Sequence, residues 1–201
     1  MKMWQGAAVV FLAAHAYAAE APSTQFSRSG SALACGKPLP ADTNPSPPYY
    51  TSCLRTGAIG IGDDVKAVET HLGPALEPPR ESSGRELRLY SYDPSTPSSY
   101  IVVGYEGGKA VSIQVVGQQP AGKHAFAGVE IGDPIAQVLK TIGYPTYQRC
   151  NLNIQQEVWI YEPFPFYINF SEGTVAGFRL AAAPEFEGPF EPLKRLERLE
   201  C

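Results

Sequence analysis

The sequence predicts an α+β protein made of two tandem units, each a helix followed by an antiparallel sheet, set side by side. Three observations predict it. Ile59, Ile61, Gly62, Asp63, Val65, Val68, Leu72 and Gly73 recur seventy positions later as Val129, Ile131, Gly132, Asp133, Ile135, Val138, Ile142 and Gly143, in register and without a gap. A fixed-period echo marks one structural unit used twice. Within each copy a helix-start residue precedes an apolar stripe at helical spacing, and alternating apolar runs then follow.

The first unit takes residues 57–117 and the second 118–183. In each, Gly-Asp opens the helix, with Asp63 or Asp133 as the N-cap that accepts from otherwise orphan backbone amides. Pro134 follows Asp133 at the first helical position, where a missing N–H costs nothing. Val65, Val68 and Leu72, like Ile135, Val138 and Ile142, bury one narrow face, and each helix stops at a glycine with a proline close behind, Gly73-Pro74 or Gly143 and Pro145. Strands are expected at 87–92, 101–105 and 111–116 in the first unit and at 158–161, 166–170 and 175–180 in the second. Glu106-Gly107-Gly108 and Glu172-Gly173 supply hairpin turns between the last two of each set.

Before the repeats, Met1-Lys2 leads into an apolar stretch from Ala7 to Ala19, too short to span a bilayer, and Ala16-Tyr17-Ala18 supplies small residues for a cut after Ala18. Residues 1–18 read as a secretory signal peptide, which places the mature chain in the periplasm or outside the cell with no membrane span. Residues 19–56, rich in Pro and Ser, read as an extended arm, and 184–201 as an amphipathic segment with Leu193, Leu196 and Leu199 three apart. The full chain carries a formal charge of −4, and loss of Lys2 with the signal peptide makes it −5. Its scattered basic residues do not form the stripe that nucleic acid requires. Four cysteines, Cys35, Cys53, Cys150 and Cys201, suit disulfides in an oxidising compartment. Three pairings are possible, and chain order favours Cys35 with Cys53 and Cys150 with Cys201. No CxxC occurs, and the mature chain has only His71 and His124, so no metal site is expected.

The order Ile-Gly-Asp, helix, Leu-Gly-x-Pro, a Trp159-Ile160-Tyr161 strand, then Ile168-Asn169-Phe170 and a glycine turn resembles the small envelope fold of the BamE (SmpA/OmlA) family. Two copies in one secreted chain are most similar in arrangement to the β-lactamase inhibitory proteins. The resemblance covers about residues 57–181 and implies paired units whose sheets form a concave, aromatic-rich face that clamps another protein.

Strand alternation turns that expectation into residues. With Leu87, Leu89, Val158 and Ile160 toward the helices, Tyr90, Tyr92, Trp159 and Tyr161 point to the opposite face. Tyr167, Asn169, Arg179 and Gln114 join them if Ile168, Phe170 and Phe178 point to the core, and these eight form the candidate partner-binding face. A packed aromatic cluster between the units is the alternative. No catalytic constellation stands beside it: Asp63-Asp64 is not kept as a carboxylate pair in the second copy, and His71 lacks a placed nucleophile. The chain therefore reads as a non-enzymatic protein-binding module without cofactor, its partner an envelope enzyme, toxin or outer-membrane complex. An inhibitor or immunity-type role is one branch and an envelope assembly or scaffold accessory of BamE-like type is another. A small-molecule or peptidoglycan binder would show a deep aromatic pocket.

Overall fold

Three turns of two residues set the geometry of the sheet. Ser83-Gly84, Gly107-Gly108 and Glu172-Gly173 all have positive φ, at 52° and 76°, 55° and 75°, and 51° and 78°. That is the turn whose twist matches paired antiparallel strands, and glycine at its second position removes the steric cost. The structure is a computed structural model and describes residues 26–29, 32–36, 39–40, 43–118, 120–184 and 201. The signal peptide and almost all of the segment 184–201 lie outside the described residues.

In chain order the elements are β1 (Phe26–Ser29), β2 (Ala32–Cys35), α1 (Pro47–Tyr50), β3 (Arg55–Thr56), β4 (Ile59–Gly60), α2 (Val65–Leu72), β5 (Arg80–Ser82), β6 (Arg85–Ser91), β7 (Tyr100–Glu106) and β8 (Lys109–Val116). They continue with α3 (Ile135–Thr141), β9 (Tyr147–Asn151), β10 (Gln156–Ile160), β11 (Phe166–Ser171) and β12 (Thr174–Ala181). The last eight strands form one antiparallel sheet in the order β5-β6-β7-β8-β12-β11-β10-β9. This corrects the expected fold class. Among the described residues the fold is mostly β, the α-helices are 4, 8 and 7 residues long, and one eight-stranded sheet stands in place of two helix-plus-sheet repeats set side by side. The seam is the pairing of β8 with β12, from Val116 opposite Gly177 to Ser112 opposite Ala181, which carries the ladder across the middle of the sheet.

The seventy-residue echo survives as local hydrogen bonding. The Gly60 amide donates to Asp63 Oδ2 and the Glu130 amide to Asp133 Oδ2, both at 2.8 Å. Gly62 and Ala110 exchange bonds with the β8 entry, Gly62 N to Ala110 O and Ala110 N to Asp63 O, and Gly132, Asp133 and Val175 repeat the exchange at β12. Asp63 and Asp133 therefore tie the tight turn before each helix and do not cap it. The N-cap of α2 is Asp64, whose side chain accepts from Ala67 N at 2.8 Å, while Pro134 takes that post in α3 with no side-chain bond. Proline's fixed φ suits the extended N-cap as well as the first helical turn, so spacing alone did not separate the two.

Within 19–56, the described residues include elements that pack on the core. β1 and β2 form a hairpin, and Phe26, Cys35, Tyr50, Cys53 and Leu54 are buried in the common core. Phe26 packs edge-on to Phe126 and Phe164, at 5.9 and 5.0 Å between ring centroids. Cys35 bonds Cys53 and Cys150 bonds Cys201, so the first disulfide closes the Pro-rich loop and the second ties residue 201 to β9. Asp64→Ala should lower the unfolding free energy by about 1 kcal/mol, with Asp64→Asn recovering most of it, as read by urea denaturation. Equal stability of all three chains would show that the cap bond contributes nothing.

Candidate functional site

Register decides which side chains share a face. Tyr90, Ile101, Val115, Phe178, Ile168 and Trp159 stand opposite one another in turn, one row across six strands, and none is more than 1% exposed. Val103, Ile113 and Leu180, a second row, are fully buried. This face meets the helices: Arg88, two residues before Tyr90, reaches Glu69 on α2 at 2.8 Å and Glu86 at 2.5 Å.

The expected exposed aromatic face is thus corrected. Tyr90, Trp159 and Tyr161 are core residues at 0, 1 and 3% exposure, and Tyr92 projects from the same side at the end of β6. Their polar ends are satisfied inside. Tyr90 and Tyr105 share a hydroxyl pair at 3.2 Å, Trp159 Nε1 donates to Glu157 at 2.5 Å, Tyr161 donates to Gly143 O and Tyr92 to Val116 O. Burial raises the pKa of Tyr90, Tyr105 and Tyr161, so each stays a neutral donor. The parity was misjudged because Leu87-Arg88-Leu89-Tyr90 and Val158-Trp159-Ile160-Tyr161 are apolar on both sides of the pleat. In such strands the wide rings fill the deep space between sheet and short helices, while the aliphatic residues take the other face.

The opposite, outer face carries the other four predicted residues. Gln114, Arg179 and Tyr167 lie in one row between Val102 and Ile160, and Arg179 Nη1 donates to Gln114 Oε1 at 3.5 Å. Asn169 stands in the neighbouring row between Gly177 and Val158, only 6% exposed, with an Oδ1 that has no hydrogen-bond partner. Gln114, Arg179 and Tyr167 are half-buried. The sequence reading missed Leu87, Leu89, Tyr100, Val102 and Val116, which line the outer side of β6, β7 and β8 and are also half-buried. The signal was present in Ile101-Val102-Val103, an apolar run that must put aliphatic atoms on both faces.

At the β10–β12 end the outer face closes over. Ile160, Phe164, Pro165, Tyr167, Arg179 and Pro184 wall a crevice of ≈ 10 Å³, the room of about one water. A deep aromatic pocket, the condition for a small-molecule or peptidoglycan binder, is not what these walls form. Among the described residues no group of three or more His, Cys, Asp or Glu side chains is placed to hold a metal ion, and no helix is long and apolar enough to cross a membrane.

No family model matches the sequence, and no curated protein does. Solved structures do. An extracellular protein containing a SCP domain from Bacillus anthracis matches over 59% of this chain and 43% of its own, at 17% identity and TM-score 0.44. A cysteine-rich secretory protein from Staphylococcus aureus matches over 60% and 42%, at 16% identity and TM-score 0.41. A DUF4309 family protein from Bacillus subtilis matches over 59% and 78%, at 13% identity and TM-score 0.41. The chain spans less than half the length of the first two. Likenesses this distant transfer no activity; the single eight-stranded sheet is what overturns the resemblance to BamE or β-lactamase inhibitory repeats. The two disulfides fit a chain that is secreted or periplasmic.

Trp159→Ala should cost about 3 to 5 kcal/mol of stability in urea unfolding, as removal of a buried ring does. A Trp159→Ala chain that unfolded like the wild type but lost a bound partner would return this ring to a binding role.

Proposed function

We propose that this chain is a secreted, non-enzymatic protein-binding module, and that it binds through the outer face of the sheet over β6, β7 and β8. The observation that carries the reading is the row of half-buried Leu87, Leu89, Tyr100, Val102 and Val116 on the side away from the helices. A contiguous apolar stripe left partly open on a secreted protein marks a contact surface. Gln114, Arg179 and Tyr167 continue the stripe toward β11 and add the donors and acceptors with which a rim is built. The charged groups near it are paired outside the stripe: Arg85 with Glu106 at 2.6 Å and Lys109 with Asp64 at 3.8 Å. Its finer form, inhibition of or immunity to an envelope enzyme or toxin, adds the requirement that the bound protein lose activity.

Leu89 and Val102 face each other across β6 and β7, so Leu89→Glu with Val102→Lys replaces the apolar centre by an opposite-charge cross-strand pair that the sheet tolerates. The double variant should melt within a few degrees of the wild type and bind any protein captured from envelope extract at least about tenfold more weakly, the loss of one hot spot. Wild type and variant capturing the same proteins equally would refute this surface.

A further inference from the structure

His124 occupies an unusual position. It is 3% exposed, its Nδ1 has no hydrogen-bond partner, and it ends a short turn, Gly122–His124, on the connection from β8 to the second half of the sheet. Two other segments close on it. From the β3–β4 hairpin, Thr56 Oγ1 donates to the His124 carbonyl, and Gly57 lies so near that a Cβ there would stand 2.0 Å from the Lys123 carbonyl oxygen and 3.4 Å from His124 Nδ1. From the end of β6, the Tyr92 ring lies 6.1 Å from the imidazole between centroids. Gly57 also holds φ +58°, so the hairpin turn and the close approach both exclude a side chain.

We propose that His124 is an acid-sensitive clasp, a ring that holds the β3–β4 hairpin, the 121–126 turn and the end of β6 together only while it is uncharged. Among the described residues no counter-charge waits for the proton. Tyr92 faces the ring as a neutral phenol whose hydroxyl is committed to Val116 O, and Thr56 and Gly57 bring no charge. Arg55, on the same hairpin, is turned to Asp63 at 3.2 Å. Among the described residues the charge acting on the ring is the like charge of Lys123 beside it.

Burial, with a smaller push from Lys123, lowers the His124 pKa from its ordinary 6.5 to about 4. The opened junction therefore binds more protons than the closed one between those values. Closure is at full strength above pH 6.5, weakens as pH falls, and stops weakening below about 4. The opening equilibrium at pH 5 should rise on the order of 20-fold over pH 7. The hairpin reaches the core through Ile59, which is fully buried, so release uncovers apolar surface that is closed at neutral pH.

Hydrogen exchange on the disulfide-intact mature chain, corrected for the intrinsic pH dependence, tests the clasp. Amides of 55–61 and 121–126 should lose protection by roughly the 20-fold of the linkage between pH 7 and 5, while those of β7, β8 and β12 hold theirs. His124→Gln, which cannot take a proton, should show no such selective loss. The wild-type ring, followed by NMR with exposed His71 as comparison, should stay neutral at pH 5 in the closed form. Unchanged protection at 55–61, equal loss across the central strands, an acid response retained by His124→Gln, or a closed-form ring already protonated at pH 5 would each overturn the proposal.

Discussion

The antiparallel pairing of β8 with β12 is the constraint on which everything else in this protein rests. It sets Val115 opposite Phe178 and Ile113 opposite Leu180, so the buried rows of one four-stranded stretch continue into those of the other. Without it each stretch would offer a row of unpaired amides and carbonyls and a core only half closed. Both strands carry a bulge just before the seam, and each bulge carbonyl is used by the partner strand. Val111 O accepts from Ala182 N at 2.8 Å, and Ala176 O accepts from Gly117 N at 3.2 Å. The extra residue in each strand is thus part of the seam itself.

The same pairing explains why the proposed contact surface lies where it does. Once the inner rows are continuous, one core serves the described residues, and the segment before α2 is drawn into it through Phe26, Tyr50 and Leu54. α2 adds Val68, and α3 with its C-cap adds Val138 and Ile142, to that core from the inner side of the sheet. The outer side over β6 to β8 keeps its aliphatic stripe partly open. The outer side toward β10 is crowded shut around Ile160 and Val158, which are 2 and 1% exposed. Binding capacity and packing are divided along the sheet as well as between its faces.

His124 fits this division. The connection between the two halves of the sheet passes over the core side, and the His124 Nδ1 there has lost water without gaining a partner, which costs free energy that neighbouring hydrogen bonds must offset. The hydrogen bonds of Thr56 and Tyr92 surround it but do not serve its free nitrogen. A group in that state is stable only in its neutral form, and that couples the connection to pH.

Much of the local structure was legible from residue order. Gly-Asp before a Val-x-x-Val or Ile-x-x-Val stripe located α2 and α3, Gly107-Gly108 and Glu172-Gly173 located two hairpins, and six strands fell where apolar alternation put them. These features are set by forces acting within a few residues: steric limits on φ, the orphan amides at a helix start and the two-residue period of the pleat. Short polar strands such as Arg80–Ser82 and Tyr147–Asn151 left no such pattern and exist because a neighbouring strand offers an edge. Which face of an apolar-on-both-sides strand turns inward, whether Leu89 or Tyr90, is not a local property at all. It depends on which face other parts of the chain come to cover, and that was decided only when β8 and β12 paired and drew α2 and α3 to one side.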